Sequence, residues 1–493
     1  MSWSRSQFLL AWSVWAAFSV LTHSFPLRRF RWSTVSASLV PATGPYPYQS
    51  RIQTFPEDRD MAETEQINSL SMFGSPNDEY CPVVDEFGAQ AVERFCEAPD
   101  DLDAFRWIRL ENEVDKTIER VKTKEDVLKQ MKWATDRQAK YGNVNLYARR
   151  WKHLESGNLN GFAIDQSSDS SFTVMQFNTL AEGLSAGPEV TRPFTVDTRY
   201  GQSEKSTYGG FSNVAYPDTV FDFSVRRWRI LEVLLGKNGA CPFDIIALEE
   251  VDRFYGFFLP LMRLFGYKGL FVPKTRSPSV RMGWYSDGCS LFWKDDMFEC
   301  ISEKRVEYKV GSQVLLLTWL RHRATNQRIL VCVTHLKAQR SQANEKIRCA
   351  QVRELISHVK EELAIVGTSS KDFDLPVLIL GDFNADVPSQ STDPDESAIR
   401  DLLNSNISPN LVPCALHSAY DIDPPDDNFY TTWKTRGTTT TRRIIDYIFF
   451  GGNLSCQAHL AVPEPEDLEE AKLPNLRHPS DHMAIAAKFE LGD

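Results

Sequence analysis

Seven short apolar runs, rich in β-branched and aromatic residues, dominate the chain from residue 171 onward. The runs cover residues 172–177, 243–248, 289–293, 329–334, 376–380, 444–450 and 483–489. Apolar residues at helical spacing separate several of them, at 225–235 and 343–363. Short β-rich runs that alternate with helices are typical of layered α/β domains. The pattern therefore predicts a mixed α/β fold.

Length and composition favour one large domain with extensions. The chain has 493 residues, of which 42% are hydrophobic and 25% charged, so it can bury a sizeable core. We predict a leader at 1–45, a largely irregular linker at 46–102, a helical extension at 103–165 and a catalytic domain at 171–493. Within the extension, apolar residues at helical spacing over 105–121 and 127–131 predict two amphipathic helices.

Net charge and cysteine usage exclude some function classes. A formal net charge of -11 argues against a protein that grips long nucleic acid through a broad basic surface. The nine cysteines are an odd number and include no C-x-x-C pair. A disulfide framework and a zinc ribbon are therefore both disfavoured, and a reducing compartment is favoured.

The first 45 residues have the character of a targeting segment. Residues 8–21 form an apolar run, and Arg/Ser-rich sequence without an acidic residue follows it. This order resembles a bipartite plastid presequence, in which a signal peptide precedes a transit peptide. A mitochondrial or a secretory leader is the alternative. The apolar run is short for a membrane span, so we expect no stable membrane insertion of the mature form.

Polar side chains stand where several of the apolar runs end. They are Asn178, Glu250, His335, Asp382, Asn384, Asp446, Asp481 and His482. In layered α/β folds, ligand sites gather at strand ends, so residues that are distant in sequence can converge on one pocket. We therefore expect these side chains to form a single site.

Three of these residues offer oxygen ligands for a metal ion. Glu250, Asn178 and Asp481 suit Mg²⁺, for which Mn²⁺ can substitute. Mg²⁺ keeps several waters and takes one or two carboxylates from the protein. The sequence thus predicts a magnesium site.

The other five residues fit the hydrolysis of a phosphate ester. Asp382 can activate the attacking water, and Asn384 can orient water or phosphate. His335 and His482 can hydrogen-bond the phosphoryl oxygens, and Asp446 can fix the imidazole of His482. Taken singly, each residue is more often structural than catalytic, and their ordered occurrence reverses that expectation.

Two acidic residues have a competing structural interpretation. Asp446 lies inside an apolar run, where it could serve as a structural hydrogen-bond acceptor. Glu249 is expected to be a neighbour of Glu250 on the opposite face of the strand.

Five motifs in order resemble those of the exonuclease/endonuclease/phosphatase superfamily. They read IIALEEVD, VTHLKA, LILGDFNA, RRIIDYIF and HPSDHMAI. Within the superfamily, the chain is most similar to the branch of nocturnin and the related deadenylases, through segments such as MQFNTLAEGL, DGCSLFW and YTTWKTRG. The resemblance implies two packed mixed β-sheets flanked by helices, and the roles assigned above.

The resemblance also implies residues that contact the substrate. Lys274 and Arg436 match positions where basic residues contact a nucleotide. The chain departs from the branch at Gln339, where an Arg is expected, and Arg340 follows as a further candidate. A second departure is the long segment 183–223 after the first strand.

Two substrates are consistent with this sequence. One is the 2′-phosphate of NADP(H), and the other is the 3′ end of poly(A) RNA. The acidic balance favours the small nucleotide. A non-catalytic scaffold is disfavoured because Glu250, Asp382, Asn384 and His482 are all present. No obligate protein partner is evident.

Overall fold

The computed structural model describes most of the chain after residue 107. The described residues are 108–154, 159–160, 168–194, 207–237, 239, 242–366, 375–390, 396–408, 414–422, 425 and 427–492. The predicted leader at 1–45 and linker at 46–102 lie outside them and stay predictions. Within these ranges, no helix has both the length and the apolar character that a membrane crossing requires.

Sixteen strands form two large sheets and a hairpin in the described ranges. They are β1 Trp151–His153, β2 Leu159–Asn160, β3 Ser171–Asn178, β4 Ile245–Val251, β5 Tyr267–Pro273, β6 Gly288–Lys294, β7 Phe298–Glu307, β8 Val314–His322, β9 Arg328–His335, β10 Val377–Asp382, β11 His417–Ser418, β12 Thr432–Arg436, β13 Thr439–Arg443, β14 Asp446–Gly451, β15 Leu454–Leu460 and β16 Ile485–Leu491.

The strand order is mixed in both sheets. The first sheet runs β2-β1-β15-β16-β3-β4-β6-β5 and the second β11-β14-β10-β9-β8-β7. Each sheet has one parallel pair, β3 with β4 in the first and β9 with β10 in the second, and the other neighbours are antiparallel. Strands β12 and β13 form a separate hairpin. The predicted fold of two packed mixed sheets is confirmed.

Helices pack against both sheets in the described part of the chain. The α-helices are α1 Lys124–Ala139, α2 Glu182–Ser185, α3 Pro217–Val220, α4 Phe223–Leu234, α5 Leu259–Leu264, α6 Pro278–Arg281, α7 Gln342–Val366, α8 Ala398–Leu403 and α9 Pro465–Leu468. Single turns of 3₁₀ helix lie at Lys116–Ile118, Thr207–Gly210 and Pro388–Gln390, and a π-helical turn lies at Phe254–Phe258.

Two apolar cores hold these layers together. The first lies between the sheets and joins residues such as Phe172 and Leu291 of one sheet to Leu317 and Ile379 of the other. The second packs α1, α4 and α5 on the outer face of the first sheet. None of the six cysteines in the described ranges forms a disulfide.

The N-terminal extension differs in part from the sequence prediction. The second predicted helix is α1, which begins with a capping box between Thr123 and Asp126. The first predicted helix, at 105–121, is wrong over residues 108–121, where the chain forms only the 3₁₀ turn Lys116–Ile118. Ile108 and Ile118 are nevertheless buried, because this irregular segment packs directly on the core. Strand β1 follows α1 and pairs with β15, so the extension joins the catalytic sheet.

Candidate active site

The two parallel strand pairs end at one place between the sheets. Strand β3 ends at Asn178 and β9 ends at His335. Asp382 ends β10 and stands opposite His335 on one side and Asp446 on the other. His482 precedes β16, which is antiparallel to β3, so it arrives at the same end. The topology therefore brings together side chains that lie up to 304 positions apart in sequence.

An acid and an imidazole form a tight pair in this site. The Nδ1 atom of His482 lies 2.9 Å from Oδ2 and 3.1 Å from Oδ1 of Asp446, and both side chains are buried. Although burial disfavours the charged imidazole, the Asp446 carboxylate raises the pKa of His482 to about 9. His482 is therefore a cation near neutral pH, and its Nε2–H is available to an anion.

Asp382 lies at the centre of the site. Its Oδ2 accepts a hydrogen bond from Nδ2 of Asn178 at 3.0 Å and lies 3.6 Å from Nε2 of His335 and 3.8 Å from Nε2 of His482. Its Oδ1 accepts from the backbone N–H of Asn384 at 2.9 Å. Burial, followed by the nearby Asp446 carboxylate, raises the pKa of Asp382 to about 6. This value suits a general base that works near neutral pH.

His335 is held in a single protonation state by its neighbours. Lys274 donates from Nζ to Oδ2 of Asp287 at 2.6 Å and lies 3.2 Å from Nδ1 of His335. Burial and then Lys274 hold the pKa of His335 well below its usual value. The imidazole is therefore neutral, and a donor group faces each of its ring nitrogens, the Lys274 ammonium at Nδ1 and the Asn384 amide at Nε2. Asn384 places its Nδ2 atom 3.0 Å from that Nε2.

The side chains next to Asp382 provide oxygen donors for a metal ion. Atoms of Asp382, Asp446 and His482 lie within 4.8 Å of one another, and the carboxylates are the ligands among them, because the cationic His482 has no lone pair to offer. Glu250 lies at the adjacent strand end, half-buried, with Oε2 3.3 Å from the backbone N–H of Ala181. Because Asp446 already holds Nδ1 of His482, the free donors are mainly carboxylate oxygens. Such a set fits a hard divalent cation.

Asp481 has a different environment from the other predicted metal ligands. Lys434 donates from Nζ to its Oδ2, and Nη2 of Arg436 lies 3.5 Å from the same oxygen. Burial opposes ionisation, but Lys434 and then His482 lower the pKa of Asp481. The predicted role of Asp481 as a metal ligand stays a prediction, since its charge is balanced here by two basic side chains.

The predicted basic residues lie at different depths. Lys274 is buried among Asp287 and His335, whereas Arg436 and Arg340 are exposed for about half of their side-chain area. Arg340 lies 3.0 Å from Asp386, which also accepts from Arg443 at 2.6 Å. Arg340 and Arg436 are thus the predicted basic groups that a substrate can reach directly.

Two residues that the sequence analysis missed support this site, the buried Gln176 and the half-buried Lys434. Gln176 donates from Nε2 to Oε2 of Glu249 at 2.7 Å and to Oδ1 of Asp446 at 3.1 Å. Gln176 lies two residues before Asn178 on β3, and side chains two apart share a face of a strand, so its position was a usable signal. Lys434 precedes Arg436 by the same spacing on β12.

The expectation for Glu249 is wrong in one respect. Glu249 is fully buried and joins the hydrogen bonds of the site through Gln176, instead of being a mere neighbour of Glu250. The pairing of β4 with β6 shifts register between Leu248 and Val251, and Glu250 has φ 55. The simple alternation of strand faces therefore fails at this point.

One buried arginine ties together the loops that carry the site. Arg226 of α4 donates to the carbonyls of Thr179 and Leu180, at 2.9 and 2.7 Å, and to that of Pro479 at 3.2 Å. The first two follow Asn178, and the third precedes Asp481. Helix α4 thus fixes the loop after β3 against the loop before β16.

Comparison with known proteins identifies a matching family model and several similar proteins. A family model described as the endonuclease/exonuclease/phosphatase family matches residues 222–482, more than half of the chain. Nocturnin of Mus musculus is 28% identical over 337 residues, which cover 66% of this chain and 67% of that protein. The CCR4-Not complex 3′-5′-exoribonuclease subunit Ccr4 of Candida albicans is 24% identical over 362 residues, which cover 67% of this chain and 42% of that protein.

A solved structure is also similar. The structure of the human nocturnin catalytic domain with bound sulfate anion is 24% identical and has a TM-score of 0.46. The match covers 65% of this chain and 95% of that one. The segment that the family model matches contains every predicted catalytic and metal-binding residue except Asn178.

Proposed function

The chain belongs to the endonuclease/exonuclease/phosphatase family and hydrolyses phosphate ester bonds, and we propose that its substrate is a phosphorylated adenosine compound, with the 2′-phosphate of NADP(H) as the bond that is cleaved. We propose Mg²⁺ as the metal ion that this reaction requires.

The observation that carries this proposal is a concentration of cations at the phosphoryl site of an acidic chain. Lys434 Nζ lies 3.4 Å from Nε2 of His482, and Lys274 Nζ lies 3.2 Å from Nδ1 of His335. Arg436 lies beside them at Asp481. The whole chain carries a formal charge of -11, so positive charge is concentrated here, and the half-exposed Arg436 is the cation of this group that a compact anion can reach directly. A small nucleotide with several phosphates matches such a site.

The side chains can carry out hydrolysis by in-line attack of water on phosphorus. Asp382, ionised above a pH of about 6, accepts the proton of the attacking water. The cationic His482 donates its Nε2–H group to a phosphoryl oxygen, and the neutral ring of His335 lies near the same Asp382 oxygen as His482. Mg²⁺, when held by Glu250 and its neighbours, would neutralise charge that develops on the phosphoryl group.

A second candidate function is hydrolysis of the 3′ end of poly(A) RNA. The similarity to an exoribonuclease subunit supports it.

An activity panel with Mg²⁺ tests the two candidates. NADPH, NADP⁺, coenzyme A, 3′-phosphoadenosine compounds and oligo(A) are offered to the purified chain, and released phosphate or nucleotide is measured. We expect release of inorganic phosphate from NADP(H) with little shortening of oligo(A), and the Glu250→Ala variant serves as the inactive control. Shortening of oligo(A) without turnover of NADP(H) would contradict the proposal and favour the exonuclease.

We further propose that residues 1–45 direct the chain to a plastid through a signal peptide and a transit peptide. The support is the order of an apolar run and an acid-free Arg/Ser segment. N-terminal sequencing of the organelle form tests this proposal, and an intact Met1 on that form would contradict it.

A further inference from the structure

The long segment after the first strand contacts the basic hairpin. Within its described part, the backbone N–H of Ser212 donates to the carbonyl of Thr435 at 3.1 Å, and that of Gly437 donates to Gly210 at 3.0 Å. The hydroxyl of Ser212 also donates to the carbonyl of Gly437 at 2.6 Å. The segment thus adds a short antiparallel bridge, Phe211 to Arg436, to the edge of β12.

The bridge places an aromatic ring directly against a predicted substrate-binding arginine. The guanidinium carbon of Arg436 lies 4.2 Å from the centroid of the Phe211 ring. At that distance the cation is attracted by the face of the ring. Phe211 is buried, whereas the side chain of Arg436 is 46% exposed and also contacts Asp481. The ring therefore holds one side of the guanidinium and leaves the other open to a ligand.

A small apolar cluster fixes Phe211 in turn. Its ring lies 5.3 Å from that of Phe221, and Leu180 packs with both. The backbone N–H of Leu180 donates to Oδ1 of Asn178 at 3.0 Å, so this cluster contacts one of the predicted metal ligands. Phe211 consequently links the loop after β3 to the hairpin on the opposite side of the site.

We propose that Phe211 is a positioning residue that presents Arg436 to a second anionic group of the substrate, beside the phosphoryl group that is hydrolysed. This inference rests on the proposed function of the same site. The described residues 207–223 of this segment would then set specificity for substrates with two separated phosphate groups. A substrate that lacks the second group would not use this contact.

The experiment compares two substrates that differ in that group. NADPH carries a 2′-phosphate and a pyrophosphate, whereas 2′-AMP carries the 2′-phosphate alone. Phe211→Leu keeps an apolar side chain but removes the ring face. We expect it to raise KM for NADPH about three- to tenfold with kcat nearly unchanged, and to leave both constants for 2′-AMP at parent values. Phe211→Tyr, which keeps the ring face, should restore the parent KM.

A double-mutant cycle separates positioning from general packing. Arg436→Ala should raise KM for NADPH about tenfold or more, and Phe211→Leu should add nothing in that background. An effect of Phe211→Leu that persists without Arg436, or equal KM increases for both substrates, would overturn the inference. Ser212→Ala removes one hydrogen bond of the same bridge. If Phe211→Leu does not fold, the KM of Ser212→Ala for NADPH and 2′-AMP provides the second test.

A matched control lies in the same segment. Phe194 also faces an arginine, Arg109, at 5.9 Å, and contacts Tyr285. Phe194→Leu should leave both KM values unchanged, and an increase equal to that of Phe211→Leu would also overturn the inference. If the parent hydrolyses neither NADPH nor 2′-AMP, the proposed function fails. The same cycle is then run on oligo(A), where absence of coupling between Phe211 and Arg436 would overturn the inference separately.

Discussion

The Asp446 carboxylate holds His482 across the two sheets of the domain, with 2.9 Å between Oδ2 and Nδ1. Asp446 begins β14 of the second sheet, and His482 precedes β16 of the first. Any change in how the sheets pack would therefore alter the orientation of this imidazole. Gln176, which donates to Asp446 at 3.1 Å, fixes the carboxylate from the first sheet.

Replacing the acid of this pair should impair catalysis without unfolding the chain. Asp446→Asn keeps the shape but loses the charge that raises the pKa of His482, so we expect kcat to fall about 10- to 100-fold. On the alkaline side of the pH profile, the activity of the variant should also fall at a lower pH than that of the parent. Steady-state kinetics against pH measure both effects. Asp295→Asn, a change at a half-buried acid that pairs with Lys268 and Arg323 away from the site, should have the kcat and pH dependence of the parent.

The proposed metal ligand Glu250 and the proposed base Asp382 should each be indispensable for turnover. Glu250→Ala and Asp382→Ala are expected to lower turnover about 10²- to 10⁴-fold, because they remove a proposed metal ligand and a general base. Circular dichroism and thermal melting confirm that the variants are folded. Turnover close to that of the parent in either folded variant would contradict the site assignment.

Activity should fall at both low and high pH. Burial and Asp446 raise the pKa of Asp382 to about 6, so activity falls as the pH drops through 6 and the base is protonated. Burial opposes the charge on His482, but Asp446 raises its pKa to about 9, so activity falls again as the pH rises through 9. The rate constant kcat/KM, measured from pH 5 to 10, should give a bell-shaped curve. A curve that is flat below pH 7 would exclude Asp382 as the base.

A buried acid outside the site should make stability depend on pH. Glu111 is buried beside Gly256, and burial raises its pKa from 4.5 to about 7. Because the folded-state pKa is the higher one, its contribution to stability is full below pH 4.5 and is lost as the pH rises through 7. Glu111→Gln removes this loss, so it should stabilise the fold at pH 8 by about 3 kcal/mol more than at pH 4. Denaturant unfolding at both pH values tests this, with the exposed Glu113→Gln as the control.

Most of the site could be predicted from sequence because its residues end buried strands. Asn178, His335 and Asp382 each close a run of apolar residues, and the parallel pairs carry these ends to one place. Strands β7, β12 and β13 were not predicted. They are largely polar strands at an edge or in a separate hairpin, so burial imposes no clear alternation on them.

Other differences come from tertiary contacts that a local pattern does not contain. Strand β8 is a continuous apolar run, which periodicity does not distinguish from a buried helix. The pairing of Lys434 with Asp481 joins segments 47 positions apart, and no local signal encodes it. The irregular stretch at 108–115 is held in part by a hydrogen bond from the backbone N–H of Asp115 to the carbonyl of Gly256. That contact competes with the helical spacing of its apolar residues.

Lys274 should act mainly through His335, because the structure buries it. Lys274→Met leaves the fully buried Asp287 without its cation, which is expected to cost about 3–5 kcal/mol of stability. Adding Asp287→Asn removes the uncompensated charge and should restore most of that stability. Activity should not return in the double variant, since Nδ1 of His335 still lacks its contact with the Lys274 ammonium.

Urea unfolding and steady-state kinetics of the parent, the single variant and the double variant distinguish two roles for Lys274. A low kcat with nearly unchanged KM in the stabilised double variant would support its action through His335. A high KM with parent-like kcat would contradict it and assign Lys274 to direct contact with the substrate. Lys294→Met is a matched control, because Lys294 pairs with the buried Asp244 at 2.9 Å away from the site. It should lower stability while leaving kcat and KM of the folded enzyme unchanged.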